Sequence, residues 1–328
     1  MPDLIGITAY GSVFFTVALI SGIACLGLNL QWGQTGLFNV GVAGFIAIGA
    51  YTSALLSTAQ AGGHLGGYHW PIAAACLGAM LAAALAAALV GIVTLRLRSD
   101  YFAITTFGLA VVVQLILRNA QPLTGGAFGI SFIPRPFETL ADRPVLFGLA
   151  NLMLVGALVT VLYSALEALV RSPWGRVLRA VREDERAARA LGKSASRYRL
   201  QAFTIGGAIM GLAGALQAHL IGFIAPDNFE ASLTFQIWTM LIVGGSGNNL
   251  GALLGAGLVS VVWSATGLAT GVLFPPEDQA QAAALRIIAI GVLLATTIVL
   301  RPRGLLGERV TVSRHVAESA AEPSDTPG

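Results

Sequence analysis

The stretch RSPWGRVLRAVREDERAARALGKSASRYR, residues 171–199, is a basic island in a chain that otherwise carries very little charge. It holds nine of the nineteen Lys and Arg residues against three acids, a net charge of +6, whereas the whole chain carries +3. Long apolar runs flank it on both sides. A charged segment between membrane-length runs must lie in water, and an excess of Arg and Lys is typical of cytoplasmic loops. The island therefore predicts a polytopic membrane protein with this loop in the cytoplasm.

The composition indicates the same class of protein. The chain is 55% hydrophobic and 11% charged, with a mean hydropathy of +0.77, whereas soluble domains carry about 25% charged residues. The apolar runs are continuous rather than alternating, which argues against a transmembrane barrel. We therefore expect an all-α polytopic bundle of about 8–10 transmembrane helices, some of them broken by Gly-rich segments. Cys25 and Cys76 lie in apolar runs and indicate neither a disulfide nor a metal site.

Nine apolar segments can be placed along the chain, at roughly 11–30, 36–58, 71–95, 102–118, 145–170, 200–221, 231–245, 250–271 and 281–300. The seventh is short enough to be either a crossing or a re-entrant segment. Arg-rich loops follow segments three, five and nine, and the loops between them have no basic excess. Nine crossings put every Arg-rich loop on one face, with the N-terminus outside and the C-terminus in the cytoplasm. Eight crossings, with 231–245 not crossing, would break that pattern at the C-terminus unless another segment compensated.

The organisation predicted from this map is one membrane domain over residues 1–308, with a cytoplasmic helical region at 172–199. A polar cytoplasmic tail over 309–328 follows and is expected to be disordered. Gly-rich breaks at 31–36 and 244–251 both precede a Gly-rich helix on the predicted cytoplasmic side. They hint at an internal repeat.

The island itself carries the signals of an amphipathic helix over 173–191, or of two short helices. Ser172 and Pro173 suit a helix start, and Gly192 suits the position just past a helix end. Six apolar positions fall on one helical face, namely Trp174, Val177, Leu178, Val181, Ala188 and Leu191. Such a helix either lies on anionic lipid head groups or docks a cytoplasmic partner. The acidic triplet 183–185 favours docking, because a lipid-binding helix gains nothing from three adjacent carboxylates.

The sequence contains no recognisable nucleotide-binding loop. Gly192-Lys193-Ser194 resembles the end of a phosphate-binding loop, but the glycine required five residues before Gly192 is Ala187. We therefore expect this chain to bind no cofactor and to have no catalytic residues. Any ATP used would be hydrolysed on another subunit.

Several blocks, taken in order, resemble the LivM-type permease subunits of branched-chain amino acid ABC importers. The likeness covers roughly residues 20–307 and rests on GLNLQWGQTG (27–36), RSDYFAITT (98–106), LTGGAFGI (123–130), the island from SPWGR (172–176) to LG (191–192), GGSG (244–247) and RPRGLLG (301–307). It implies a multi-pass permease of the bacterial inner membrane that is not itself an enzyme. The partners implied are a second, related permease subunit forming a heterodimer, two cytoplasmic ATPase subunits carrying Mg-ATP and an extracytoplasmic substrate-binding protein. Membrane lipid is a further partner, and nucleic acid is not.

The resemblance also assigns coupling to the ATPase to the stretch 182–192. This stretch is only loosely similar to the Glu-Ala-Ala…Gly loop of other importers, since the distal Leu-Pro is absent. The coupling residues expected on this basis are Arg182, Glu183, Asp184, Glu185, Arg186, Ala188 and Gly192.

A polar cluster around the first Gly-rich break is the candidate substrate path. Irregular backbone at membrane depth is tolerated where it lines a cavity, so this break either lines the translocation path or is a capped turn on the cytoplasmic surface. The residues concerned are Asn29, Gly33, Gln34, Thr35, Gly36 and Asn39. Three ionisable residues in apolar segments, Glu167, His219 and Arg286, are interpreted as interfacial or packed rather than as substrate ligands.

Three other functions compete with import of branched-chain amino acids. The same machine could carry urea or short amides. A secondary transporter or channel working alone would require ionisable residues at mid-membrane for coupling ions. A non-transporting scaffold would use its basic helix only to bind lipid.

Overall fold

The computed structural model of the chain describes residues 2–59, 65–274 and 279–308. The predicted tail over 309–328 lies outside these residues. The described α-helices are α1 (Pro2–Gln31), α2 (Val42–Ser57), α3 (Ile72–Thr94), α4 (Ser99–Asn119), α5 (Gln121–Thr124), α6 (Pro144–Arg171), α7 (Pro173–Glu183), α8 (Glu185–Ala190), α9 (Ala195–Ile221), α10 (Ala231–Gly244), α11 (Asn249–Leu273) and α12 (Gln279–Leu300). Short 3-10 helices occupy Gly126–Phe128, Glu138–Leu140 and Pro226–Phe229, and strand β1 (Ile130–Ser131) pairs antiparallel with β2 (Phe223–Ile224).

The expected all-α polytopic membrane fold is confirmed. Each of the nine predicted apolar segments falls on a helix. By length and composition, seven of the described helices could cross a membrane, namely α1, α3, α4, α6, α9, α11 and α12. Helices α2 and α10 are apolar but have only 16 and 14 residues. The number of crossings and the side on which each end lies stay predictions.

One boundary differs from the sequence prediction. The second segment was expected to start at residue 36, but α2 begins only at Val42. Residues 36–41 are not helical, and Gly36 has a left-handed φ of +72° that L side chains rarely adopt. The Gly-rich break is therefore longer than the apolar pattern suggested.

Helix α9 lies at the centre of the bundle and packs against α1, α2 and α3. Small residues allow these helices to approach closely, as is typical where lipid supplies no hydrophobic drive. A Cβ at Gly49 of α2 would overlap the backbone of Gly211 of α9, and one at Gly214 would overlap the carbonyl of Ile46. The closest packing in the core is thus backbone against backbone.

The Ala-rich helix α3 has two distinct faces. Its alanines at four-residue spacing are buried, and Ala83 and Ala87 meet α9 at Gly207 and Gly211. The leucines at the same spacing on the opposite side are exposed, namely Leu77, Leu81, Leu85 and Leu89. The structure thus gives α3 one face suited to close helix packing and one face suited to lipid.

We expect Gly49→Ala to destabilise the bundle, because the added methyl forces α2 away from α9. Overpacking of this kind costs about 1–3 kcal/mol. The matched control is Gly257→Ala on α11, where an added Cβ meets nothing within 4 Å and helix preference makes Ala slightly stabilising. Thermal melting of the two purified variants in detergent tests this. Equal melting temperatures would contradict the packing described.

Candidate functional site

The first Gly-rich break lies against the second one. Helix α1 ends at Gln31, and the amide of Asn29 donates to Asn249 Oδ1 at 2.9 Å. Asn29 Oδ1 accepts from the backbone N–H of Gly247 at 2.8 Å, and Gln34 Nε2 donates to the Gly247 carbonyl at 2.9 Å. The two breaks that the sequence hinted were a repeat are therefore joined directly.

Asn39 fastens the other end of the first break. Its amide donates to Gln31 Oε1 at 2.7 Å, and its Oδ1 accepts from the Gly41 N–H at 2.8 Å. Trp238 of α10 donates its indole N–H to the Asn39 carbonyl at 2.9 Å, and Gln31 donates to the Phe203 carbonyl of α9 at 2.9 Å. The start of α2 is thus tied to α1, α9 and α10.

All four polar side chains of the candidate path, Asn29, Gln34, Thr35 and Asn39, are buried. A Cβ on Gly33 would overlap Asn29 Oδ1 and the Gly247 N–H, so the chain passes through this point only as glycine. In this conformation the cluster holds helix ends together. That it lines the translocation path stays a prediction.

The island folds as two short helices, which was one of the two forms predicted. Asp184 separates them and caps α8, because its Oδ1 accepts from the backbone N–H groups of Arg186 at 2.8 Å and Ala187 at 3.0 Å. Gly192 follows α8 with φ of +73°, as the sequence indicated. Leu191 was expected on the buried apolar face, but it is 80% exposed, because α8 ends one residue earlier.

The acidic triplet is engaged within the chain. Glu183 pairs with Arg182 at 2.8 Å, Asp184 serves as the cap, and Glu185 binds Arg189 and also Arg199 at 2.7 Å. These contacts give the three carboxylates an internal role. The argument that they favour a docking partner over lipid is therefore weaker than the sequence suggested.

Arg182 links the island to the first break. Its guanidinium donates to the Gly33 carbonyl and pairs with Glu308 at 2.8 Å. Burial alone would lower the pKa of Arg182, but the hydrogen bonds and charges of Glu183 and Glu308 raise it above its ordinary value. The side chain is only 21% exposed, so this charge is held inside the protein by named partners.

The segment 301–308 lies against the second break. Backbone N–H groups of Leu305 and Leu306 donate to the carbonyls of Val243 and Gly244 at 2.9 and 3.0 Å. Gly304 adopts φ of +71° where it meets Gly245. We call the meeting of residues 29–41, 243–249 and 301–308 with Arg182 the junction.

The predicted coupling residues divide into two sets. Arg182 and Ala188 face the protein, and Glu185 is partly buried by its ion pairs. The outward set is Glu183, Asp184, Arg186 and Gly192. Sequence reasoning missed Glu308 and placed Leu191 on the buried face, whereas it is exposed. The block 301–307 pointed to the neighbourhood of Glu308, but nothing in the sequence pairs it with Arg182.

The ionisable residues of the long helices are packed, as the sequence interpretation held. Glu167 binds Arg171 at 2.8 Å and Asn249 at 3.0 Å. His219 lies between Ser53 Oγ at 2.8 Å and the Pro134 carbonyl at 2.7 Å. Arg286 contacts the Gly267 carbonyl at 3.3 Å. Among the described residues, no group of three or more His, Cys, Asp or Glu is placed to hold a metal ion.

The chain is similar to known proteins over most of its length. Residues 12–297 match the family described as branched-chain amino acid transport system / permease component. The chain is 35% identical to the high-affinity branched-chain amino acid transport system permease protein LivM of Escherichia coli (strain K12), over 89% of this chain and 68% of that protein. It is 27% identical to the probable LivM of Methanocaldococcus jannaschii, over 92% and 94%, and 30% identical to the autoinducer 2 import system permease protein LsrC of Yersinia pestis, over 58% and 54%. No solved structure matches significantly.

We expect Arg182→Met to cost roughly 1–3 kcal/mol of stability, because it leaves the Gly33 carbonyl and the Glu308 carboxylate without their partner. Glu308→Gln should cost less in the Arg182→Met background than in the wild type, since the two residues act as a pair. Arg176→Met, on the exposed side of α7, is the control and should change stability by no more than about 0.5 kcal/mol. Melting curves of the four variants test this, and strictly additive costs would argue against the pair.

Proposed function

Because the chain belongs to the family of branched-chain amino acid transport system permease components, we propose that it is the membrane-spanning subunit of an ATP-driven importer in the bacterial inner membrane. Its cargo would be branched-chain or closely related amino acids. The observation that carries this proposal is the match to LivM of Escherichia coli over 89% of the chain. The match to LsrC spans only 58% of the chain and gives weaker support for a different cargo.

The partners follow from the same proposal. A second permease subunit would complete the pore, two ATPase subunits would bind Mg-ATP on the cytoplasmic side, and a soluble binding protein would deliver the cargo from outside. Import then requires that ATP-driven movement of the ATPases reach the helices that surround the path. The junction supports such a link, because it joins the island to the ends of α1 and α10 and the starts of α2 and α11.

The proposed route of coupling runs from the exposed edge of the island through Arg182 to the two breaks. Arg186 and Leu191 are exposed at the outer edge of the island, where an ATPase would make contact. Arg182 at the end of α7 points the opposite way and binds the Gly33 carbonyl and Glu308. A push on α8 would therefore be transmitted through Arg182 to the first break and to the segment 301–308 against the second break.

A transporter working alone finds less support. Coupling ions would need free ionisable groups at membrane depth. Glu167, His219 and Arg286 instead each bind a neighbouring group of the chain.

Reconstitution in liposomes tests the proposed function. The chain would be co-purified with its partner subunits and supplied with its binding protein. We expect L-leucine to stimulate ATP hydrolysis and to accumulate inside the liposomes, whereas urea does neither. Accumulation of L-leucine by the chain alone, without an ATPase, would contradict the proposal.

Two substitutions test the coupling surface. Leu191→Ser and Arg186→Glu should each weaken ATPase association about tenfold or more, as expected of central contacts in an interface. Arg176→Glu, which is also exposed but lies on α7 near helix α6, should leave association unchanged. Co-purification at graded salt concentrations measures this. Full association of both test variants would exclude this surface as the contact.

A further inference from the structure

A cleft of about 120 Å³ lies between α1, α2, α9 and α10. Its floor is buried and apolar, formed by residues such as Ala24, Ile46 and Ile237. Its polar lining residues are Ser21, Gln217 and Gln236, and no charged residue lines it. The cleft is therefore apolar with a few uncharged hydrogen-bonding groups, which is the usual make-up of a small-molecule site.

These polar groups differ from their neighbours in one respect. Thr16 of α1 and Thr239 of α10 donate to backbone carbonyls one turn earlier. In the described part of the chain, no such hydrogen bond is formed by the side chains of Ser21, Gln217 or Gln236. All three side chains are only half-buried, so their polar groups can still reach water. Two amides and a hydroxyl in one cleft thus have unused donors and acceptors.

The cleft is connected to the junction by the helices that form it. It lies against the second half of α9, the first half of α10 and the middle of α1. On the charge map, these parts of α9 and α10 are in the outer half of the membrane. Helices α1 and α10 then continue from the cleft to the junction, where they end at Gln31 and Gly244.

We propose that this cleft receives the cargo in the outer half of the subunit, and that it takes a small zwitterionic amino acid with an aliphatic side chain. This inference rests on the proposed function. An amide carries both donors and an acceptor, so Gln217 and Gln236 can serve both the carboxylate and the ammonium of the cargo. The apolar floor takes the aliphatic side chain.

Size and charge narrow the ligand further. The cleft is slightly smaller than the engineered cavity of about 150 Å³ that binds benzene, so it suits a small aliphatic side chain better than a large aromatic one. Without a charged partner the cleft holds a zwitterion weakly, which suits a site that must release its cargo. Because α1 and α10 form both the cleft and the junction, movement of the junction can widen or narrow the cleft.

Transport by the whole complex provides the first test. Gln217→Met and Gln236→Met keep the length of the side chain but remove the amide, and each should reduce L-leucine uptake at least tenfold. The matched control is Gln114→Met on α4, whose amide donates to the Pro226 carbonyl at 3.3 Å and lies outside the cleft. Ser21→Leu should also reduce uptake by filling the cleft, whereas Ala208→Leu, on another face of α9, should not.

A labelling experiment keeps the inference testable if the Met variants assemble poorly. Gln217→Cys adds a thiol in the cleft, while the two natural cysteines are buried. We expect L-leucine to slow maleimide labelling of this thiol in the complex at least threefold, and L-tryptophan to leave the rate unchanged. Wild-type uptake by both Met variants, or labelling that L-leucine does not slow, would overturn the inference and would indicate lipid or a partner helix in the cleft. Failure of the wild-type complex to import L-leucine would instead overturn the proposed function.

Discussion

Backbone polar groups that are freed where a buried helix breaks must find partners within the protein, because no water is available to them. The breaks after α1 and after α10 meet this requirement by bonding to each other. Asn29 and Gln34 bind Gly247, and the segment 301–308 binds the carbonyls of Val243 and Gly244. Three parts of the chain that are distant in sequence are thereby held together in the junction.

Because the bundle is closely packed, a displacement of this junction is passed on to the helices that it joins. Glycines and alanines let α2, α3 and α9 touch backbone to backbone, so these helices have little room to yield separately. Interiors packed this closely transmit displacement rather than absorb it. Arg182 adds the connection to the island, since its charge is satisfied by the Gly33 carbonyl and Glu308. A load on the island therefore acts on several helix ends at once.

Binding of the cargo along the proposed route does not depend on charged side chains. Glu167, His219 and Arg286 are used to fasten helices, and the cleft between α1, α9 and α10 offers only amides and a hydroxyl. A weak, uncharged site suits the proposed importer subunit, which would receive cargo from a binding protein and be driven by ATP hydrolysed on other subunits. A cargo held by a buried charge would have to break a strong ion pair to leave.

The sequence by itself determined the class of protein, the nine apolar helices and the helical nature of the island, because hydropathy, helix caps and loop charge are local properties. That the island is two helices rather than one was decided by the structure. The blocks of family resemblance led to the same family that the comparisons found. Only the tertiary structure decided that Arg182 meets Glu308, that Asn29 meets Gly247, that Leu191 is exposed and that α2 starts at Val42. Those facts depend on hydrogen bonds and packing between residues up to 218 positions apart. A local sequence pattern does not indicate which distant group will form the hydrogen bond that a buried polar group needs.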